Sequence, residues 1–448
     1  MRELKTIGRH AATVLVGQLA VMAFGITDTI VAGRYSEAAL AALSVGSAIY
    51  ISVYVALMGV MQALLPIWAE LHGARQPIAV GRSVRQALYL CAFTIVAGMA
   101  ALLFPGPLLR WTGVPVALQG DVERYLAVLA LALAPALLFR LYSTLNQSLG
   151  KPLLVTWLQI GSLFIKVPLS IAFAFGGSFA GVTVPAQGAV GCAWATLVVN
   201  YAMLAVAAWL LRTRPLYTPY RIWQRPEPPD WAQIRHFARI GVPGGLAIMV
   251  EVTSFTLMAL FIARMGTQAA ASHQIASNLA AVLYMVPLSL SIATSARVSY
   301  WLGAGDPAQA RRVVRTGLML TVGAAVLLAG ALLMLRQPLA AIYTPGSAVA
   351  ALAANLLVWV AAYHLADAVQ ALCVFVLRCY RVTFAPLLVY SILLWGLGLA
   401  GGYVLAYDST LLGPLRLSPA AFWVSSVVAL WLTAAIFVVI LWRVARRR

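Results

Sequence analysis

Long apolar segments separated by short polar gaps follow one another along the whole chain. A helix of about 20 apolar residues crosses the hydrocarbon core of a bilayer, where backbone polar groups must bond internally. The pattern therefore predicts an all-α polytopic membrane protein with twelve transmembrane helices. The predicted spans are 12–34, 42–68, 85–108, 123–147, 153–175, 187–211, 240–264, 274–299, 313–335, 348–377, 384–407 and 419–443.

The basic residues are unevenly distributed over the gaps between these spans. Lys and Arg total 31 against 12 acidic residues, and only 10% of the chain is charged. In a soluble protein this balance would suggest nucleic acid, but here most basic residues fall in alternate gaps, as the positive-inside rule describes. We therefore expect both termini in the cytoplasm, in a bacterial inner membrane, with lipid and not nucleic acid as a partner. The gaps on the opposite side, counted with the span ends that border them, contain only Arg34, Arg110, Arg124, Arg264, Arg336 and Arg416.

The chain also contains an internal repeat. The segment "GARQPIAVGRSVRQAL" (73–88) resembles "GAGDPAQARRVVRTGL" (303–318) in its Gly, Ala, Pro and Arg positions. We predict two six-helix lobes, 1–211 and 234–448, joined by a cytoplasmic linker at 212–233. An even number of spans per lobe makes the lobes parallel repeats, and two such lobes around a central cavity suit transport by alternating access.

Three acidic residues lie well inside predicted spans: Asp28, Glu251 and Asp367. A charge at the bilayer centre costs about 2.5–3.5 kcal/mol on insertion scales, so such residues usually face a cavity or have a function. The alternative is a protonated acid that only hydrogen-bonds a neighbouring helix. Glu251 and Asp367 lie in the same half, which favours a pair that holds a monovalent cation or shares a proton. For Asp28 both interpretations stay open.

Other polar residues near these acids are further candidates. Tyr363 and His364 lie one helical turn before Asp367, so Tyr363 can offer its ring or hydroxyl to a cation. His364 either tunes the proton affinity of Asp367 or is a packed helix contact. Gln274 and Asn278, at the start of the eighth span, are candidate contacts for substrate or cation.

Lys166 is a basic residue within the fifth span, where its side chain cannot easily reach water. Asp28 is the intramembrane acid in the same half, and we hypothesise that the two form a buried ion pair. The alternative is that Lys166 lines an aqueous cavity alone. If the pair forms, Asp28 does not take part in coupling ion movement to transport. Asp28 and Lys166 then form a polar site of the N-terminal lobe.

Several stretches resemble the MATE (multidrug and toxic compound extrusion) family, over essentially the whole chain. They are "TDTIVAGRYSEAALAALSVG" (27–46), the segment 241–312 with its "AASHQI", and "LRCYRVT" (377–383). The set of acids is closer to the NorM-like branch than to the DinF branch. The resemblance implies two six-helix lobes and drug export driven by inward Na⁺ or H⁺. It also implies a cation site at Glu251 and Asp367, with Tyr363 as its aromatic member.

Two positions depart from the pattern of the family. Cys379 stands where a glycine is usual, and Lys166 stands in the fifth span where a neutral amide is more usual.

The sequence also bears on classes of function other than an antiporter. The chain contains no H-E-x-x-H, G-x-x-x-x-G-K-[ST] or G-x-S-x-G motif, which disfavours an intramembrane enzyme or an ATP-driven pump. A lipid or lipid-linked oligosaccharide flippase remains the alternative, although only Arg140 and Lys166 are basic well inside the spans. We expect a monomeric secondary antiporter, not an enzyme, that needs no cofactor and exports small cationic or amphipathic compounds.

Overall fold

The chain folds almost entirely into long helices. The computed structural model describes residues 2–111, 116–179, 182–225, 227–343, 348–408 and 417–447. The α-helices are α1 Arg2–Tyr35, α2 Glu37–Gln62, α3 Leu65–Gly73, α4 Pro77–Leu103, α5 Gly106–Trp111, α6 Val116–Ser148, α7 Leu153–Phe175, α8 Ala189–Thr213, α9 Trp231–Ala263, α10 Thr267–Gly303, α11 Pro307–Tyr343, α12 Ala348–Cys379, α13 Phe384–Tyr390, α14 Gly401–Tyr403 and α15 Ala420–Arg447.

Shorter elements complete the described chain. Strands β1 (Gly177–Phe179) and β2 (Val182–Val184) form a small antiparallel hairpin, and a 3₁₀-helix covers Pro215–Tyr220. The eleventh span continues from α13 through two π-helical segments, Ser391–Ala400 and Val404–Asp408, that flank α14. The hairpin is a small departure from the all-α prediction.

The twelve predicted spans are confirmed, since twelve described helical segments are long and apolar enough to cross a membrane. Their ends were less well predicted. The first helix begins at Arg2, about ten residues before the predicted start, and α11, which forms the ninth span, begins at Pro307, before its predicted start at 313. Helices continue beyond the apolar core because polar side chains satisfy their ends. At α11, for example, the backbone N–H of Gln309 donates to Asp306 Oδ1 over 2.8 Å.

The contacts divide the chain into two compact units whose boundaries fall inside helices. Unit 1 comprises Met1–Leu15 with Leu246–Arg448, and unit 2 comprises Val16–Gly245. The start of α1 therefore packs with unit 1, where Ile7 is buried in the core. The start of α9 packs with unit 2, where Phe237 is buried in the core. The domain boundaries predicted at 211 and 234, by contrast, lie close to the end of α8 and the start of α9.

The internal repeat is visible in the turns that follow α3 and α10. Arg75 N donates to His72 O over 3.1 Å, and Gly305 N donates to Leu302 O over 3.2 Å. Both residues adopt a positive φ, 56° at Arg75 and 77° at Gly305. A left-handed residue closes a helix and lets the chain reverse, and glycine takes this conformation without steric strain. The same turn thus forms in both halves, although one half lacks the glycine.

Within unit 2, the linker is attached to α4 by an acidic residue, Glu227. Its carboxylate contacts Arg85 Nη2 at 2.6 Å and Arg82 Nε at 2.9 Å. Its backbone oxygen accepts a hydrogen bond from Tyr89 Oη over 2.8 Å. The hydrogen bond from Arg85 and the charges of both arginines hold the pKa of Glu227 below its ordinary value of 4.5.

Neutralising Glu227 should loosen the linker. Because the pKa of Glu227 is lowered in the folded chain, the attachment is complete above pH 4.5 and is lost as the pH falls through the lowered value. We expect Glu227→Gln to speed amide hydrogen exchange in residues 221–230 at neutral pH. In the wild type, acidification should have the same effect once the exchange rates are corrected for the pH dependence of intrinsic exchange. Glu123→Gln, at an exposed position, is the control. Equal exchange in all three proteins would contradict the attachment.

Candidate functional site

Glu251 on α9 and Asp367 on α12 are brought together in unit 1 by one shared hydrogen-bond donor. Gln370 Nε2 lies 2.8 Å from Asp367 Oδ1 and 3.3 Å from Glu251 Oε1. Gln370 is three residues after Asp367, so both side chains project from one face of α12. Two carboxylates from different helices therefore meet at a single neutral amide.

The eleventh span holds this amide in place. Tyr390 Oη donates a hydrogen bond to Gln370 Oε1, so the amide nitrogen is the end that faces the carboxylates. Close by, Trp395 Nε1 donates to the backbone oxygen of Val250 over 3.1 Å, next to Glu251 in the chain. Gln370 thus supplies a hydrogen bond to each acid but no positive charge.

A small cavity opens beside Glu251, with a volume of about 10 Å³. This is the space that one water molecule needs, and a small monovalent cation would fit it equally well. Carboxylate and hydroxyl oxygens are the ligands that hard cations prefer. Among the described residues, no group of three or more His, Cys, Asp or Glu could hold a metal ion. The lining comprises Glu251, Ser254, Phe255, Met258, Tyr363, Leu394 and Ser426.

The aromatic residue predicted at this site, Tyr363, lines the cavity and is packed firmly. Its ring meets Phe255 edge-on at 5.5 Å and Trp423 at 5.8 Å. Edge-to-face pairs of this kind stabilise rings in one orientation. Its neighbour His364 is buried, and its Nε2 has no hydrogen-bond partner in the described structure. The hypothesis that His364 tunes the proton affinity of Asp367 is therefore not supported by a hydrogen bond between the two described side chains.

Gln274 and Asn278 lie elsewhere on unit 1. Both side chains are exposed on α10, and Gln274 Nε2 donates to Asn278 Oδ1 over 3.0 Å. Neither residue lines the cavity beside Glu251. The structure therefore does not bring these two amides to the carboxylate pair, and a contact with substrate remains a prediction.

The ion pair predicted in the N-terminal half is present within unit 2. Lys166 Nζ on α7 lies 2.8 Å from Asp28 Oδ1 and 3.0 Å from Asp28 Oδ2 on α1. Lys166 is fully buried, with 0% of its surface exposed. The alternative, that Lys166 lines an aqueous cavity by itself, is therefore wrong.

Helix α8 completes the surroundings of this ion pair. Lys166 Nζ also donates to the backbone oxygen of Cys192 over 3.0 Å and to Thr196 Oγ1 over 2.6 Å. Ser170 Oγ donates to Asp28 Oδ1 over 3.0 Å. The three N–H donors of the ammonium group are all used, so burial leaves none of them unsatisfied.

Sequence reasoning missed three residues of the carboxylate site. Gln370 was detectable, because its spacing from Asp367 places both on one helical face. Tyr390 comes from another span, and no local pattern marks it. Arg378 lies at the end of α12, buried over the ring of Phe375 at 4.7 Å and close enough to Glu251 for electrostatic interaction.

Comparison with known proteins identifies the family. The MatE family model matches residues 14–172 and 243–404. The probable multidrug resistance protein NorM of Aromatoleum aromaticum is 39% identical over 442 residues, which cover 98% of this chain and 94% of that protein. The multidrug resistance protein PmpM of Pseudomonas aeruginosa is 33% identical over 446 residues, with 99% and 92% coverage.

Solved structures show the same fold. The eukaryotic MATE transporter AtDTX14 superposes with a TM-score of 0.86 at 18% identity, covering 100% of this chain and 98% of that one. The Vibrio cholerae MATE transporter VcmN in its bent form gives 0.83 at 18% identity, with the same coverage. Together with the family match and the close relatives, this places the chain in the MATE family of multidrug efflux transporters, with NorM-type proteins among its relatives.

Proposed function

We propose that this integral membrane protein is a secondary active antiporter. It exports small organic compounds, cationic or amphipathic, in exchange for a monovalent cation, Na⁺ or H⁺, that moves inward. Glu251 and Asp367 receive this cation, and Tyr363 forms the aromatic wall of the site. Each candidate site is complete within one chain, which supports a transporter that works as a monomer.

The observation that carries this proposal is the meeting of two carboxylates at Gln370, beside a cavity of ionic size. Two acids that share a desolvated site repel each other, so a proton or a small cation between them is stabilising. Binding there changes the charge of the site and favours one conformation of the transporter, while substrate favours another. A ligand shifts such an equilibrium only through its different affinities for the two states.

The flippase alternative is less well supported. A carrier of anionic lipid head groups needs free positive charge within its spans. Lys166, one of the two basic residues considered for that role, already donates to Asp28, Cys192 and Thr196. Its ammonium group has no donor left for a phosphate.

Vesicle transport tests the proposal directly. Everted membrane vesicles with the full chain should take up the fluorescent organic cation ethidium when a proton gradient or a Na⁺ gradient is imposed, with the two gradients applied separately. Uptake should need no ATP. Uptake that requires ATP, or that neither gradient drives, would reject the antiporter.

We further propose that the chain lies in the inner membrane with both termini in the cytoplasm, and labelling can check this orientation. All four cysteines, Cys91, Cys192, Cys373 and Cys379, are buried, so the wild type is a background of low reactivity. We expect a cysteine at Arg225 to react with an impermeant maleimide only from the cytoplasmic side. A cysteine at Pro185 should react only from the outside. Labelling of both from one side would contradict the orientation.

A further inference from the structure

The ammonium group of Lys166 has the surroundings of a bound cation. Four oxygen atoms approach its Nζ: Asp28 Oδ1 at 2.8 Å, Asp28 Oδ2 at 3.0 Å, Cys192 O at 3.0 Å and Thr196 Oγ1 at 2.6 Å. A carboxylate, a backbone carbonyl and a hydroxyl are also the groups that coordinate hard metal cations. Helices α1, α7 and α8 thus build an oxygen-lined site in unit 2, and a side chain of the protein occupies it.

We propose that Lys166 is a resident cation that permanently fills the cation position of unit 2, so that the transporter exchanges one monovalent ion per cycle, at Glu251 and Asp367. This inference rests on the proposed antiport function and adds the stoichiometry of coupling to it. Asp28 remains ionised through the cycle because its counter-ion is covalently attached to the chain and cannot leave.

The charges around Asp28 leave no place for a second cation. Asp28 and Lys166 together are neutral, and within the described part of the chain the other titratable groups near Asp28 are Cys192 on α8 and Tyr125 on α6. An incoming Na⁺ or H⁺ would therefore meet no uncompensated negative charge.

The buried charges around the unit 1 site have a different balance. Glu251 and Asp367 together carry two negative charges when ionised, and Arg378 contributes one positive charge nearby. One negative charge remains, which one monovalent cation or proton neutralises. Burial strongly disfavours uncompensated charge, so a single exchangeable ion is the stable occupancy of this site.

The number of ions exchanged per ethidium can be measured in proteoliposomes. It follows from the largest ethidium gradient that an imposed ion gradient sustains. At zero membrane potential, a tenfold gradient of one coupled ion stores about 1.4 kcal/mol, which sustains about a tenfold ethidium gradient. Two coupled ions would sustain about a hundredfold gradient. We expect the tenfold value for the wild type. One-for-one exchange of monovalent cations moves no net charge, so an imposed potential should not change it. A hundredfold, potential-dependent gradient would overturn the proposal.

Removal of the resident cation gives the second test. In Lys166→Met, Asp28 lacks a counter-ion and should accept an exchangeable one, which raises the ethidium gradient towards about a hundredfold. The double variant Lys166→Met, Asp28→Asn should return to the tenfold value. Lys151→Met, which removes an exposed lysine of the same unit, is the matched control. A folded Lys166→Met that still gives the tenfold value would contradict the proposal, and if this variant does not fold, the wild-type measurement decides.

A spectroscopic test separates this inference from the transport function. Infrared difference spectra of the purified full-length wild type, compared with Asp28→Asn, should contain no carboxylic-acid band from Asp28 on acidification from pH 9 to pH 5. Such a band would overturn the resident cation even if ion-driven transport were normal. Absence of ethidium transport with either gradient would reject the antiporter and leave the infrared result as the test of Lys166.

Discussion

Glu251→Gln or Asp367→Asn should abolish ion-driven ethidium uptake by everted vesicles, to the level of vesicles without the transporter. Each substitution keeps the shape and the oxygen that accepts the hydrogen bond from Gln370, but removes one of the two charges. The site then no longer needs a cation for neutrality, so an ion gradient cannot shift the conformational equilibrium. Uptake rates and the amount of inserted protein should be measured on the same vesicles.

The control for these variants is Asp408→Asn, which neutralises an exposed acid at the end of the eleventh span. It should retain gradient-driven uptake. All three variants should bind ethidium in detergent, because no substitution removes an aromatic or apolar surface. Normal uptake by both Glu251→Gln and Asp367→Asn would eliminate this pair as the coupling site.

Separating Lys166 from Asp28 should destabilise the protein strongly. Loss of one partner leaves the other charge buried and unpaired, so Lys166→Met and Asp28→Asn should each lower the free energy of unfolding by about 3–5 kcal/mol. The double variant should recover part of this loss, because it leaves neither charge behind. The measurement is a double-mutant cycle on denaturation in detergent, together with the abundance of each variant in the membrane.

Ser170→Ala is the reference against which the losses in this double-mutant cycle are compared. It removes the hydroxyl that donates to the Asp28 carboxylate but leaves the ion pair intact, so its effect should be smaller, about 1.5–3 kcal/mol. Strictly additive losses for Lys166→Met and Asp28→Asn would show that the two side chains do not stabilise each other. Asp28 would then return to the list of candidate coupling residues.

Hydrophobic patterning predicted the spans well because lipid imposes one length and one polarity on each of them. It predicted their ends less well, since the physical limit of a helix is set by capping groups and turns. The start of α1 at Arg2 and the cap of α11 by Asp306 are examples, where polar residues extend a helix beyond its apolar core. The hairpin β1–β2 follows α7 in a short segment with no alternating pattern long enough to predict a strand.

The candidate site was predictable where a single residue type was out of place. An acid or a lysine within an apolar span is visible in the sequence, which is why Glu251, Asp367, Asp28 and Lys166 were found. Tyr390 was not found, because a tyrosine in a span is ordinary and only the packing of the eleventh span against α12 gives it a partner. The backbone oxygen of a residue such as Cys192 carries no sequence signal at all.

The placement of the unit boundaries inside α1 and α9 means that neither half of the repeat is self-sufficient. A fragment that ends at residue 211 retains Ile7 and Ala11, which belong to the core of unit 1. A fragment that begins at residue 234 retains Phe237 and Ile240, which belong to the core of unit 2. Each fragment alone would expose apolar side chains and lack others that it needs. The two fragments should therefore fold only when they are produced together, by fragment complementation. Each would supply the helical segment that the other lacks, as the exchanged segment does in a domain-swapped dimer.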